Sequence, residues 1–181
     1  KTGSLVISMI AGIAAATLVP TAVLAQNLPP RIKIGLSVAL TGPGAAIGVT
    51  ARITAEMTAK EINAAGGMGG RPIDVLLADD AGDPTRAASE TRRLVDSDKI
   101  NVMIGPAIAA PALAAAPVLT AAKMLSFPFT GSTAINGTSY PYGFGMFYPS
   151  DAFVEGMVDF AVDKLGAKNI AVIADTGALG K

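Results

Sequence analysis

Few residues in this chain could do chemistry. It contains no His and no Cys, so it supplies neither a Ser-His-Asp nor a Cys-His nucleophile system and lacks the soft ligands of a zinc site. Four turns remain as candidates: TGPGAAIG (41–48), DDAGDP (79–84), GPAIAAP (105–111) and PFTGSTA (128–134). A glycine-rich turn between a strand and a helix presents main-chain N–H groups to an anion, which could be a nucleotide phosphate or a carboxylate. The dinucleotide fingerprint requires a third glycine three residues after the second, and Ile47 stands there in place of glycine. Its acidic partner should follow about 20 residues on, whereas Asp79 and Asp80 come later than that. The closing TGALGK has only two residues between its glycines and is not a phosphate-binding loop of the Walker type. Glycines that serve only tight turns are the rival reading. Asp79, Asp80 and Asp83 read as strand-end and helix-cap groups rather than as metal ligands or an acid pair.

The elements that must position these turns are legible from periodicity. Ile32, Ile34, Leu36 and Val38 alternate with smaller or polar residues, the period of a strand. Ile53, Met57 and Ile62 fall near helical spacing over about 48–65, and AAGGMGG supplies the stop. RPIDVLLADD is the next strand; Asp83 as N-cap with Pro84 at the first helical position then opens a second helix. INVMIGP predicts a short buried strand, 109–122 a helix, MLSFPF a strand, DAFVEGMVDFAVDKLG an amphipathic helix and NIAVIAD a last strand. Strands alternate with helices throughout, which predicts an α/β fold with a mainly parallel sheet and helices on both faces. In such sheets ligands bind outside the carboxyl ends of the strands, where all four turns would gather.

Charge and the N-terminus narrow the class. With 14 basic against 14 acidic residues the chain offers no electrostatic footprint for nucleic acid. One basic residue, an apolar run from Leu5 to Val19, Pro20 and the small-residue ending VLA predict a signal peptide over 1–25 and an exported protein. The rival reading is a membrane anchor, since the run is close to the roughly 20 residues that span a bilayer. No disulfides are available to stabilise the chain outside the cell. The start without Met and the end just after an expected strand point to a fragment.

GLSVALTGPGAAIG, AKEINAAGGMGGRPIDVLLADDAGDPTRA, RRLVDSDKINVMIGP, PFTG and DTGALGK resemble, in order, the leucine/isoleucine/valine-binding proteins of ABC transporters, which have the type I periplasmic binding fold. The resemblance implies a non-catalytic receptor without a cofactor that encloses a small solute, a branched-chain amino acid or a related carboxylate or amide, between two hinged lobes. It implies lobe one over 26–148, the start of lobe two over 149–181, a periplasmic location and an inner-membrane ABC permease as partner. A sensory domain on the same fold, or an exported α/β enzyme, is the alternative. By the same resemblance the ligand carboxylate is gripped by a hydroxyl and main-chain N–H groups after the third strand, here Gly105, Pro106, Ala109 and Ala110, with Ala109 at the hydroxyl position. The second grip is the Phe129 carbonyl with a hydroxyl from Thr130, Thr133 or Ser132, in that order of preference. Ile47 stands where an aromatic usually covers the ligand, and Leu179 replaces a cleft-facing Tyr. These departures argue against a standard leucine pocket.

Overall fold

The computed structural model describes residues 29–135 and 137–173. The expected signal segment and the DTGALGK motif lie outside the described residues. The described chain runs β1 (Ile32–Val38), α1 (Ala45–Ala64), β2 (Ile73–Asp79), α2 (Pro84–Arg92), β3 (Val102–Ile104), α3 (Ala109–Ala121), β4 (Ser126–Phe127) and α4 (Ser150–Asp159). A π-helical turn extends α2 over Arg93–Ser97 and another extends α4 over Phe160–Lys164. The four strands form one sheet in the order β2-β1-β3-β4, and every pairing is parallel. This is the α/β architecture that the alternation of elements predicts.

Local chemistry explains the boundaries. Asp83 caps α2 as expected, its carboxylate accepting from the Arg86 N–H at 2.7 Å, with Pro84 next in the chain. α1 starts three residues before the expected position, directly after Gly44. It ends at paired glycines: Gly66 and Gly67 have φ of +99° and +81°, which a β-carbon would disfavour. Just before them, the Asn63 side chain donates to Ile73 O at 2.9 Å and accepts from Ile73 N at 2.7 Å, tying the end of α1 to the start of β2. β4 covers two residues instead of the six in MLSFPF, because Pro128 has no N–H to extend the ladder. The strand expected over NIAVIAD is absent from the part described: residues 169–173 are irregular and exposed. A strand needs a partner edge, and no other strand among the described residues lies beyond β4 in the chain.

Alternation along β1 decides which residues face which helices. Gly35 and Ser37 point toward α2 and α3, where Leu94, Met103, Ala115, Leu119 and Tyr140 form the core with Ala78 and Ile100. Contact there is tight, since a β-carbon on Gly35 would lie 2.8 Å from Ile100 Cδ1 and 3.1 Å from Met103 Sδ. Ile34, Leu36 and Val38 point the other way, toward α1. Tyr140 is buried and its hydroxyl pairs with Ser126 Oγ at 2.7 Å. Burial raises the phenol's pKa despite that bond.

Candidate ligand cleft at the strand ends

The turns after β1, β2, β3 and β4 converge on one rim of the sheet, as a parallel arrangement requires. Close approach is built into the glycines. A β-carbon on Gly48 would overlap the Ala39 carbonyl, so α1 leaves β1 with its first turn pressed against the strand end. Gly105, at φ +85°, lies so close to Ser37 O that a β-carbon would overlap it, which brings the turn after β3 against β1. Ile108 then inserts its Cδ1 between the turns after β1 and β2: β-carbons at Gly44 and Gly82 would lie 3.0 and 3.3 Å from it. Phe129 N donates to Pro106 O at 3.1 Å and Gly105 N to Phe127 O at 2.9 Å, joining the turns after β3 and β4.

Two aspartates fix the acidic turn. Asp80, almost fully buried, accepts from Ser37 Oγ at 2.8 Å and from Gly82 N at 2.9 Å. Asp79 accepts from Leu40 N and Thr41 Oγ1, both at 2.8 Å, from Ala81 N at 3.0 Å, and from Arg86 at 3.2 Å. Partial burial pushes the Asp79 pKa up, but the hydrogen bonds from Thr41, Leu40 and Ala81 outweigh it and hold the carboxyl below its ordinary value. Both carboxylates are engaged in hydrogen bonds within and between the rim turns. Among the described residues no cluster of three or more Asp or Glu side chains could hold a metal ion.

An apolar cavity of about 720 Å³ opens from this rim along the α1 face of the sheet. Ile47, Gly105, Ala107 and Phe129 line it near the rim, Ile34, Leu36 and Ile104 line its floor, and Ile62 and Ile73 close the far end. Thr50 and Thr54 also line it, yet their hydroxyls donate to Ala46 O and Thr50 O within α1, each at 3.0 Å. None of the described residues that line the cavity is ionisable. Its lining offers apolar contact, with main-chain donors at the rim.

The predicted site residues divide between positions around this rim. Ile47 and Phe129 are exposed, 64% and 45%, and both line the cavity. Gly105 and Pro106 form the turn beside them. Ala109, the position matched to a hydroxyl, is 2% exposed, so its methyl packs into the lobe. Its contribution at the rim is main-chain. α3 begins at Ala109 with no side-chain cap at Ile108, and Pro111 has no N–H. The N–H groups of Ala109 and Ala110 are thus the first-turn donors of a 13-residue helix, the arrangement that favours an anion. Thr130 is buried and its Oγ1 accepts from Ser132 N at 3.2 Å in a tight turn, which leaves its O–H proton to donate. Thr133 is exposed at the same turn. Gly131 O accepts from Ser150 N at 2.9 Å and Ser150 Oγ at 2.7 Å, so the turn after β4 also holds the start of α4. Sequence reasoning missed Ala107 and Ile108, whose roles depend on contacts far along the chain.

Comparison with known proteins gives this rim its context. The Periplasmic binding protein family matches residues 31–181. An amino acid binding protein of Pseudomonas aeruginosa is 31% identical over 153 residues, which cover 83% of this chain and 40% of that protein. A Leu/Ile/Val-binding protein, BraC3, of Rhizobium johnstonii is 31% identical over 170 residues, 92% of this chain and 45% of its own. Among solved structures, a solute binding protein of an ABC transporter from Rhodopseudomonas palustris, in complex with 3,4-dihydroxybenzoic acid, superposes with TM-score 0.73 at 30% identity, covering 84% of this chain and 41% of that one. The branched-chain amino acid transporter substrate binding protein LivJ of Streptococcus pneumoniae, in complex with isoleucine, gives TM-score 0.67 at 31% identity, covering 76% and 40%. The chain spans less than half the length of these relatives. The extent of the match, through every turn of the rim, makes the chain a member of the periplasmic binding protein family.

Proposed function

We propose that the complete protein is the solute receptor of an ABC transporter and binds a branched-chain amino acid or a related small carboxylate between two lobes. One observation carries this reading: the uncapped start of α3, the Thr130 turn and the Ile47 side chain meet at one rim beside an apolar cavity without ionisable groups. The N–H groups of Ala109 and Ala110 with the Thr130 hydroxyl would take the carboxylate, the Phe129 carbonyl an amino group, and Ile47 the apolar body. Thr133, Gly105 and Pro106 complete the rim. Residues up to 148 form lobe one, and the chain from 149 begins lobe two. Export through the N-terminal segment 1–25 and delivery to an inner-membrane permease belong to the same proposal.

The ligands bound by the two neighbours, isoleucine and 3,4-dihydroxybenzoic acid, each carry a carboxylate on a small hydrocarbon frame. Ala109 provides no hydroxyl, and a hydrogen bond to a charged group contributes about 1.5–3 kcal/mol. The carboxylate therefore depends on main-chain donors and Thr130. Isothermal titration of the complete protein with aliphatic amino acids, their amides and aromatic acids tests the reading. Saturable binding of at least one carboxylate, weakened in the amide, is the expected result; saturation by none would overturn it.

A further inference from the structure

We propose that Asp79 is a positioning residue for the ligand cleft: its carboxylate holds the turn after β1 where the first turn of α1 presents Ile47 to the cavity. This rests on the receptor reading only for what the cleft binds, since the geometry stands without a ligand. Asp79 ends β2, yet three of its bonds go to Leu40 N, Thr41 N and Thr41 Oγ1, at 2.8, 3.3 and 2.8 Å, on the neighbouring strand's turn. A fourth goes to Ala81 N at 3.0 Å and a fifth comes from Arg86 on α2 at 3.2 Å. One carboxylate thereby joins two rim turns and a helix on the opposite face of the sheet.

Besides these bonds the turn is held by Ala45 N donating to Gly42 O at 3.1 Å and by the Ile108 side chain beside Gly44. Thr41 and Gly42 are exposed, and α1 starts at Ala45 with no side-chain cap from Gly44. Only residues 39–44 separate β1 from α1, and Gly48 presses on the Ala39 carbonyl from the far side. Displacing Leu40 and Thr41 therefore moves the start of α1, and Ile47 with it. An amide at position 79 keeps one acceptor but turns its NH2 group toward Thr41 Oγ1 and the Arg86 guanidinium; the hydroxyl can rotate to accept, whereas the guanidinium cannot, and the Arg86 bond is lost.

The test uses the complete protein and the variants Asp79→Asn, Asp79→Ala and Thr41→Val, with two readouts. Amide hydrogen exchange needs no ligand. In Asp79→Ala the N–H groups of residues 40–48 should exchange about tenfold faster or more, while those of Leu94 and Leu119 in the packed core stay protected. Calorimetry with isoleucine, or with 3,4-dihydroxybenzoate where isoleucine does not saturate the wild type, should then show affinity falling about tenfold in Asp79→Asn, the loss of a charge-assisted bond, and less in Thr41→Val, with the double variant no worse than Asp79→Asn. Unchanged exchange in 40–48, or an equal rise throughout the lobe, overturns the positioning role. Unchanged affinity in a variant with faster exchange at 40–48 overturns its link to the cleft. A wild-type protein that binds no carboxylate contradicts the receptor reading instead, and the exchange data still decide for or against Asp79.

Discussion

The two faces of the sheet are built from alternate residues of the same strands and are filled very differently. Toward α2 and α3, Leu94, Met103 and Leu119 are fully buried and a β-carbon on Gly35 would touch three side chains. Toward α1, Ile34, Leu36 and Ile104 border a cavity of about 720 Å³, and the α1 residues Thr50, Thr54 and Thr58 line it with small side chains. Protein interiors are normally close-packed. The comparison separates the face that holds the lobe together from the face that leaves room beside the rim. Stability should reside on the first and ligand access on the second.

The sharpest way to break that contrast uses adjacent residues of β3. Met103→Ala removes a buried side chain from the packed face and should cost about 2–5 kcal/mol in urea unfolding. Ile104→Ala, one residue on and facing the cavity, should cost less than half of that. Equal losses would mean that the two faces do not differ in packing. Next in size is Gly105→Ala, which adds a β-carbon against Ser37 O at a positive φ. It should cost about 1–3 kcal/mol and also weaken ligand binding, because the turn that starts α3 must shift away from β1. Asp83→Ala removes the cap of α2, which packs on the face of the sheet opposite the cavity, and should lower stability by about 1 kcal/mol with affinity unchanged.

The smallest effect is a pH dependence at the junction of the faces. Asp79 has a folded-state pKa below its unfolded value, so its hydrogen bonds stabilise the lobe fully above the unfolded carboxylate pKa of about 3.9. That contribution is lost as pH falls through the depressed folded value. Unfolding curves of wild type and Asp79→Asn should therefore differ at pH 7 and converge below pH 4, with the wild type losing more on acidification. Parallel pH profiles would show that the carboxylate contributes nothing as a charge.

Much of this organisation was legible in the sequence because it is local. The period-two spacing of Ile32, Ile34, Leu36 and Val38 marks the cavity face of β1, and the Asp83-Pro84 pair marks the start of α2 to the residue. What escaped is non-local. Nothing near Ile108 in the chain indicates that it fills the space between Gly44 and Gly82, and Asp79 meets Thr41 across a separation of 38 residues. MLSFPF has the composition of a longer strand, but Pro128 ends the ladder at Phe127. NIAVIAD has strand propensity, but residues 169–173 pair with no strand among the described residues, and propensity alone does not make a strand. Ile47, Gly105 and Phe129, expected at the rim from the family resemblance, line the cavity, whereas the inward burial of Ala109 was not legible in the sequence.

The central claim is that a small carboxylate is held by main-chain donors at the start of α3 and by the turn after β4. A crystal structure of the complete protein with a bound carboxylate ligand tests it most directly. The account predicts carboxylate oxygens within hydrogen-bonding distance of the Ala109 or Ala110 N–H and the Thr130 hydroxyl, with the apolar body against Ile47. A ligand seated at the opposite rim of the sheet, or touching none of these turns, would contradict it.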